Sequence, residues 1–217
     1  TYGVITAKKL TIAPAGSLVI NSGTNVFVIN EVINNGSTGA AALVVENNAN
    51  LIQVNNTTNT GNITVNRETS ELKRLDYVLW SSPVAGQLLQ AFSPATLSNR
   101  FYTYDAGTNL YALVTSPSTT SFSVGTGFLI RTPNNHPTTP AIWSSVFTGL
   151  PHNGDFSVAV ANDTYNAVGN PYPSTLDADS FMADNSISEA LYFWRKENNS
   201  ANPSYATYNL TGGVANT

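Results

Sequence analysis

Short apolar runs separated by Asn- and Gly-rich punctuation dominate the chain as far as Asn66. Leu10-Thr-Ile-Ala-Pro-Ala-Gly-Ser-Leu18-Val-Ile20 aligns with Leu43-Val-Val-Glu-Asn-Asn-Ala-Asn-Leu51-Ile-Gln53, so that Leu10 falls on Leu43 and Leu18 on Leu51. Between them lie Val26-Phe-Val-Ile29 and Val32-Ile33, followed by Asn34-Asn-Gly36, and a further run follows at Ile63–Val65. Asn and Gly accept the left-handed backbone of tight corners. Strands of this length, repeated with such corners, predict stacked rungs of a β-solenoid. A meander of ordinary hairpins is the alternative. Residues 67–76 are the densest run of charge in the chain and predict either a linker or a polar strand crossing between two modules.

From Asp76 the runs become aromatic: Tyr77–Trp80, Phe101–Tyr104, Leu110–Val114, Gly127–Arg131, Trp143–Phe147, Phe156–Val160 and Leu191–Trp194. Asp105-Ala-Gly-Thr-Asn109 joins two of them as a hairpin loop. His152-Asn-Gly-Asp155 holds a second turn. Two segments predict helices. One is Ala85–Ala91. The other is Leu176–Asn185, with Asp177 placed as an N-cap. The prediction is an all-β chain. A short β-solenoid-like, strand-rich segment occupies 1–70, and a β-sandwich or jelly-roll-like domain with one or two short helices occupies 71–217.

Composition narrows the function. Only 10% of the 217 residues are charged and the net charge is −4, so no basic face for nucleic acid is expected. No apolar run is long enough to insert in a membrane. Cysteine is absent, which removes disulfide frameworks, thiolate metal sites and cysteine nucleophiles. The sequence holds 27 Asn, 26 Thr and 21 Ser, a polar but weakly charged surface of the kind common in extracellular β-proteins.

Five phrases of the second half occur in one order. They are Leu75-Asp-Tyr-Val-Leu-Trp-Ser-Ser-Pro-Val84; Gly125-Thr-Gly-Phe-Leu-Ile-Arg131; Phe147-Thr-Gly-Leu-Pro-His-Asn-Gly154; Tyr165-Asn-Ala-Val-Gly-Asn-Pro-Tyr-Pro-Ser-Thr-Leu-Asp-Ala-Asp-Ser-Phe-Met182; and Leu191-Tyr-Phe-Trp194. Together they resemble a module of large secreted and surface proteins of Bacteroidetes, chiefly flavobacteria, whose members carry "YDYVYWSSPV", "GNPYPSALDAD" and "LYFW". The resemblance implies an extracellular or outer-surface location. It also implies export, commonly by the type IX secretion system, through a C-terminal sorting domain that this chain does not contain. Members of that family continue into a further Gly-rich phrase, so the resemblance implies that these residues are a piece of a longer protein. It supplies no catalytic residues.

Three groups of residues carry candidate chemistry. In Gly169-Asn-Pro-Tyr-Pro-Ser-Thr-Leu-Asp-Ala-Asp179, two prolines fix the backbone around Tyr172, and Asn170-Pro171 is the expected place for a cis bond. The segment reads first as a rigid turn delivering a capped helix. Its carboxylates Asp177, Asp179 and Asp184 are hard oxygen donors and form a candidate calcium site. The second group is Tyr102, Tyr104 and Tyr111 around a loop with Asp105 and Asn109. Strand alternation puts Tyr102 and Tyr104 on one face. Aromatic rings beside amide and carboxylate groups suit stacking on a sugar and bonding its hydroxyls. Packing inside the sandwich is the competing role. The third group is Trp80, Trp143 and Trp194, expected in the core. His136 and His152 are expected as solvated loop residues.

Patterns for a nucleophile elbow, a P-loop or a dinucleotide loop are missing, and no acidic pair stands out by spacing. The expectation is a non-catalytic exported cell-surface module for structural display or adhesion, not an enzyme. Surface glycans or other surface proteins are its candidate partners. The alternatives are a carbohydrate-binding module of a secreted multidomain protein and, further off, part of a glycan-active hydrolase.

Overall fold

The structure is a computed structural model that describes residues 3–187, 190–195 and 204–214. The chain opens with three short strands, β1 (Gly3–Ala7), β2 (Leu10–Ile12) and β3 (Leu18–Ile20). A second rung follows as β4 (Thr24–Val28), β5 (Val32–Asn34) and β6 (Leu43–Val45), the last entered through a short 3-10 turn. A third rung begins with β7 (Asn50–Gln53) and ends in β8 (Ile63–Leu72). All pairing between rungs is parallel: β1 with β4, β4 with β7, β2 with β5, β3 with β6, and β6 with β8. This is a three-faced solenoid-like stack. Its inward residues Val28, Val32, Leu43, Val45, Leu51, Ile63 and Val65 are buried, each side chain contributing about 1.5–3 kcal/mol by leaving water.

The register differs from the sequence repeat. Gly3 lies beside Thr24, Leu10 beside Val32 and Leu18 beside Leu43. Leu10 therefore does not meet Leu43, the residue on which the sequence alignment places it, and the step from rung to rung differs on the three faces. Corners of unequal length hide the true period. Asparagine explains how these corners hold. Asn50 Nδ2 bonds Asn25 Oδ1 in the rung before it at 2.7 Å, and Asn55 bonds Asn30 likewise at 2.9 Å. Asn59 is buried. It accepts from Val32 N and donates to Gln53 Oε1 and to Pro151 O. At Gly61, with φ of +82°, a Cβ would stand 2.1 Å from the carbonyl oxygen of Asn34, so the backbones meet only because no side chain is there.

Strand β8 links the two halves. Its first half pairs with β6 of the stack, and its full length pairs antiparallel with β14 (Ala141–Pro151). The charged run 67–76 is therefore largely strand, and a continuous strand crosses the boundary expected between residues 70 and 71. After β9 (Tyr77–Trp80) and β10 (Val84–Ala85) comes the short helix α1 (Leu89–Phe92). Next, before β14, are β11 (Phe101–Asp105), β12 (Leu110–Leu113) and β13 (Phe128–Arg131). One sheet has the order β10-β14-β8-β6-β3 and the other β12-β11-β13-β9. Their inner faces meet through rings: Trp80 lies 5.3 Å from Trp143 and 6.0 Å from Phe147, and Phe92 of α1 stacks on Phe147 at 4.5 Å. The result is an all-β, sandwich-like core continuous with the stack.

Helix α2 (Ala178–Asp184) precedes a separate antiparallel sheet of β15 (Leu191–Arg195), β16 (Ser204–Asn209) and β17 (Gly212–Val214). The Pro-rich loop before α2 closes one end of the stack. Leu51, on the last strand of its sheet, gives its N–H to Pro173 O at 2.9 Å, and Asn50 Oδ1 accepts from Thr175 N. Asn153 Nδ2 holds the carbonyls of Asn55 and Thr57. Among the described residues no peptide bond is cis, Asn170-Pro171 included.

Three further observations bear on the expectations. His136 is buried, with Nε2 on the Leu72 carbonyl, and His152 is half-buried, with Nδ1 on Pro171 O, so neither is a solvated loop residue. Phe156–Val160, expected as a strand, forms none. Among the described residues no helix is long and apolar enough to cross a membrane.

Candidate functional site

The β11–β12 hairpin places Tyr104 directly opposite Tyr111, with their rings 5.4 Å apart and nearly edge-on. Tyr104 gives its hydroxyl hydrogen to Asn109 Oδ1. Asn109 itself turns the loop in the left-handed region, φ 56°. Asp105 is committed to the same loop. It accepts from Thr108 Oγ1 at 3.0 Å and Gly107 N at 2.9 Å, and these bonds hold its carboxyl below the usual carboxylate range. Tyr102 belongs to the same face of β11 but turns to Tyr77, 6.1 Å away, and donates to Asn99 O. The five predicted ligand residues are thus near one another, yet the amide and carboxylate oxygens are engaged by the hairpin itself.

The C-terminal sheet completes this face. Tyr111 bonds Tyr205, and its hydroxyl pKa is pushed well up, by burial first and then by Tyr205 and Tyr104. Tyr205 packs against Trp194 at 5.3 Å and Tyr192 at 6.4 Å, and Tyr192 against Tyr165 at 5.4 Å. Trp194 gives its indole N–H to Tyr77 O at 2.9 Å. The rings of Tyr104, Tyr111, Tyr205, Trp194, Tyr77 and Tyr102 therefore run as a seam between two sheets. The ring planes cross at 60° or more. That is edge-to-face packing, which glues surfaces together, rather than a flat platform. The outer margin is open: Tyr165, Tyr192 and Tyr205 are exposed by 59%, 43% and 41%.

Trp194 is a correction to the expected core trio. Trp80 and Trp143 are buried, but Trp194 is only partly so and works at the seam. Sequence reasoning missed Tyr165, Tyr192 and Tyr205 as members of this face. Alternation along Leu191–Trp194 puts Tyr192 beside Trp194, but nothing local tells which sheet they meet.

The three aspartates do separate jobs. Asp177 caps α2 by accepting from Ser180 N at 2.8 Å, and that bond lowers its pKa. Asp179 accepts from the Tyr208 hydroxyl at 2.7 Å. Asp184 is exposed at the far end of α2. Among the described residues no three His, Asp or Glu side chains are gathered as for a metal ion.

A solenoid-like stack fused to a sandwich, with an aromatic seam on its flank, defines the class: an all-β module. The family comparison agrees in extent. A family model matches residues 2–216, and the chain belongs to that family, described as Domain of unknown function (DUF8693). No curated protein matches the chain. No solved structure matches it either.

Proposed function

We propose that the chain is a non-catalytic, exported cell-surface module that serves structural display or adhesion. The observation that carries this reading is β8, one strand shared by the stack and the sandwich. A shared strand prevents the two parts from hinging, which suits a rigid spacer holding other modules at a fixed distance. The resemblance of the five phrases to flavobacterial exported proteins supports an extracellular site of action and delivery by the type IX route. Calorimetry tests the mechanical claim. The whole chain should unfold in one transition, and two separated transitions would end the rigid-spacer reading.

A second reading is carbohydrate binding, favoured by the exposed rings of Tyr165, Tyr192 and Tyr205. A glycan array with the folded chain, run with calcium and again with a chelator, separates the two. A competable hit that Tyr192→Ala and Tyr205→Ala both abolish establishes the second reading. A blank array leaves the spacer or a protein-binding adhesin.

A further inference from the structure

We infer that the open top of the stack receives one more parallel β-rung, formed by polypeptide that runs into Gly3. Strands β1, β2 and β3 are each outermost in their sheets. The opposite end is closed on all three faces: Leu51 N bonds Pro173 O, Thr60 bridges to Ile33, and β8 pairs with β14. At the top the direction of the backbone groups can be followed. Ala7 O accepts from Ile29 N, and Leu10 N donates to Glu31 O. Ile12 O accepts from Asn35 N, and Ile20 O from Glu46 N. All four bonds run toward the second rung. Successive residues of a strand turn their N–H and C=O groups to opposite sides. Val4, Thr6, Thr11 and Val19 therefore turn both groups away from the stack.

The side chains agree. Ile5 heads a column with Val26 and Leu51. The two lower members are 4% and 1% exposed, and Ile5 is 53% exposed. Ile12 and Ile20 are already buried, so the uncovered apolar surface lies over β1. None of the three strands carries a charge or a proline, the residues that guard sheet edges facing water. The molecule itself shows what fits such a top. The first rung covers the second and the second covers the third, each in parallel register. The occupant is thus a rung with an apolar residue turned inward over Ile5 and backbone partners for those four residues. It arrives by chain connection rather than as a second molecule. Strands of three to five residues, at about 3.3 Å each, make an end roughly 10–17 Å on a side. That is far less than the about 800 Å² per partner of a stable complex. A covalently joined rung escapes the entropy cost of association. Head-to-tail stacking of copies is blocked by the Pro173 loop.

Hydrogen exchange, with the chain's own first rung as the probe, tests this. In the native chain the amides of Val4, Thr6, Thr11 and Val19 should exchange fast at every protein concentration, while those of Ile5, Ile12 and Ile20 are protected. A second copy of residues 3–23, the length that carries Gly3 round to Thr24, is then inserted between Tyr2 and Gly3 of the full chain. The four original amides should slow at least about tenfold. The urea m-value should rise, because more surface folds in the same transition. The same insert bearing Ile5→Ser, Ile12→Ser and Ile20→Ser should leave the four amides fast. The inference is overturned if the four amides are protected in the native monomer, or if their protection grows with concentration as a dimer forms. It is also overturned by an insert that leaves them fast or unfolds the chain, and by equal protection from the serine insert. The spacer reading rests on β8 and survives each of these outcomes.

Discussion

Trp194 reaches across the chain to give its indole N–H to the main-chain carbonyl of Tyr77 at 2.9 Å. This bond, with the Tyr111–Tyr205 contact, ties the C-terminal sheet to the sandwich. Trp194→Phe keeps most of the ring and removes the donor. The expected loss is about 1 kcal/mol, confined to docking of the C-terminal sheet. Hydrogen exchange should show β16 amides opening roughly fivefold more often with β8 and β14 unchanged. A uniform loss over all strands would contradict a local role.

Gly61 and Gly86 share a φ of +82° but not their surroundings. A Cβ on Gly61 would collide with Asn34 O, whereas Gly86 has open space. Gly86→Ala should cost only the left-handed strain, about 1 kcal/mol. Gly61→Ala should cost about 3 kcal/mol or more, because two backbones must part. Urea midpoints measure both, and equal midpoints would refute the close approach.

Asn59 is buried and bonds Val32, Gln53 and Pro151, while Asn55 meets Asn30 at the exposed surface. Asn59→Ala leaves the Val32 amide unpaired and should cost about 3 kcal/mol. Asn55→Ala should cost under about 0.5 kcal/mol. Similar losses for the two would mean that the ladders, not the buried amide, hold the corners.

His152 gives a pH dependence with a defined sign. Burial pushes its pKa below the ordinary 6.5, outweighing the carbonyls of Pro171 and Ser82 that favour the charged ring. The unfolded chain therefore takes up a proton at a higher pH than the native one. The His152 contribution is fully present above pH 6.5 and is lost as pH falls from there through the native pKa. Asp105 and Asp177 act lower, because their native pKa values lie below the ordinary 3.8. Unfolding free energy followed from pH 7 to pH 5 should decline in the native chain and flatten in His152→Gln. An unchanged slope would assign the decline to another group.

How much was legible in the sequence varies with range. Alternation placed Tyr102 and Tyr104 on one face, the Asp105–Asn109 loop was a hairpin, and Asp177 was an N-cap, all as the local pattern indicates. The alignment of Leu10 with Leu43 failed as a rung spacing because solenoid corners differ in length while only the strands must align. His136 looks like a loop residue in Pro-Asn-Asn-His-Pro, and only the folded chain supplies the Leu72 carbonyl that lets it be buried.

The sequence by itself determined the all-β character, the aromatic and Asn-rich halves, and the helix capped by Asp177, because strand alternation, turn residues and caps act within a few positions of the chain; the helix expected over Ala85–Ala91 forms only at Leu89–Phe92, after Ala85 has paired in β10. Tertiary structure alone decided that β8 belongs to both halves, that a Pro-rich loop closes the stack, and that Trp194 meets Tyr77. Those choices depend on which unpaired backbone groups and uncovered rings end up adjacent once distant strands have paired. No local pattern carries that information.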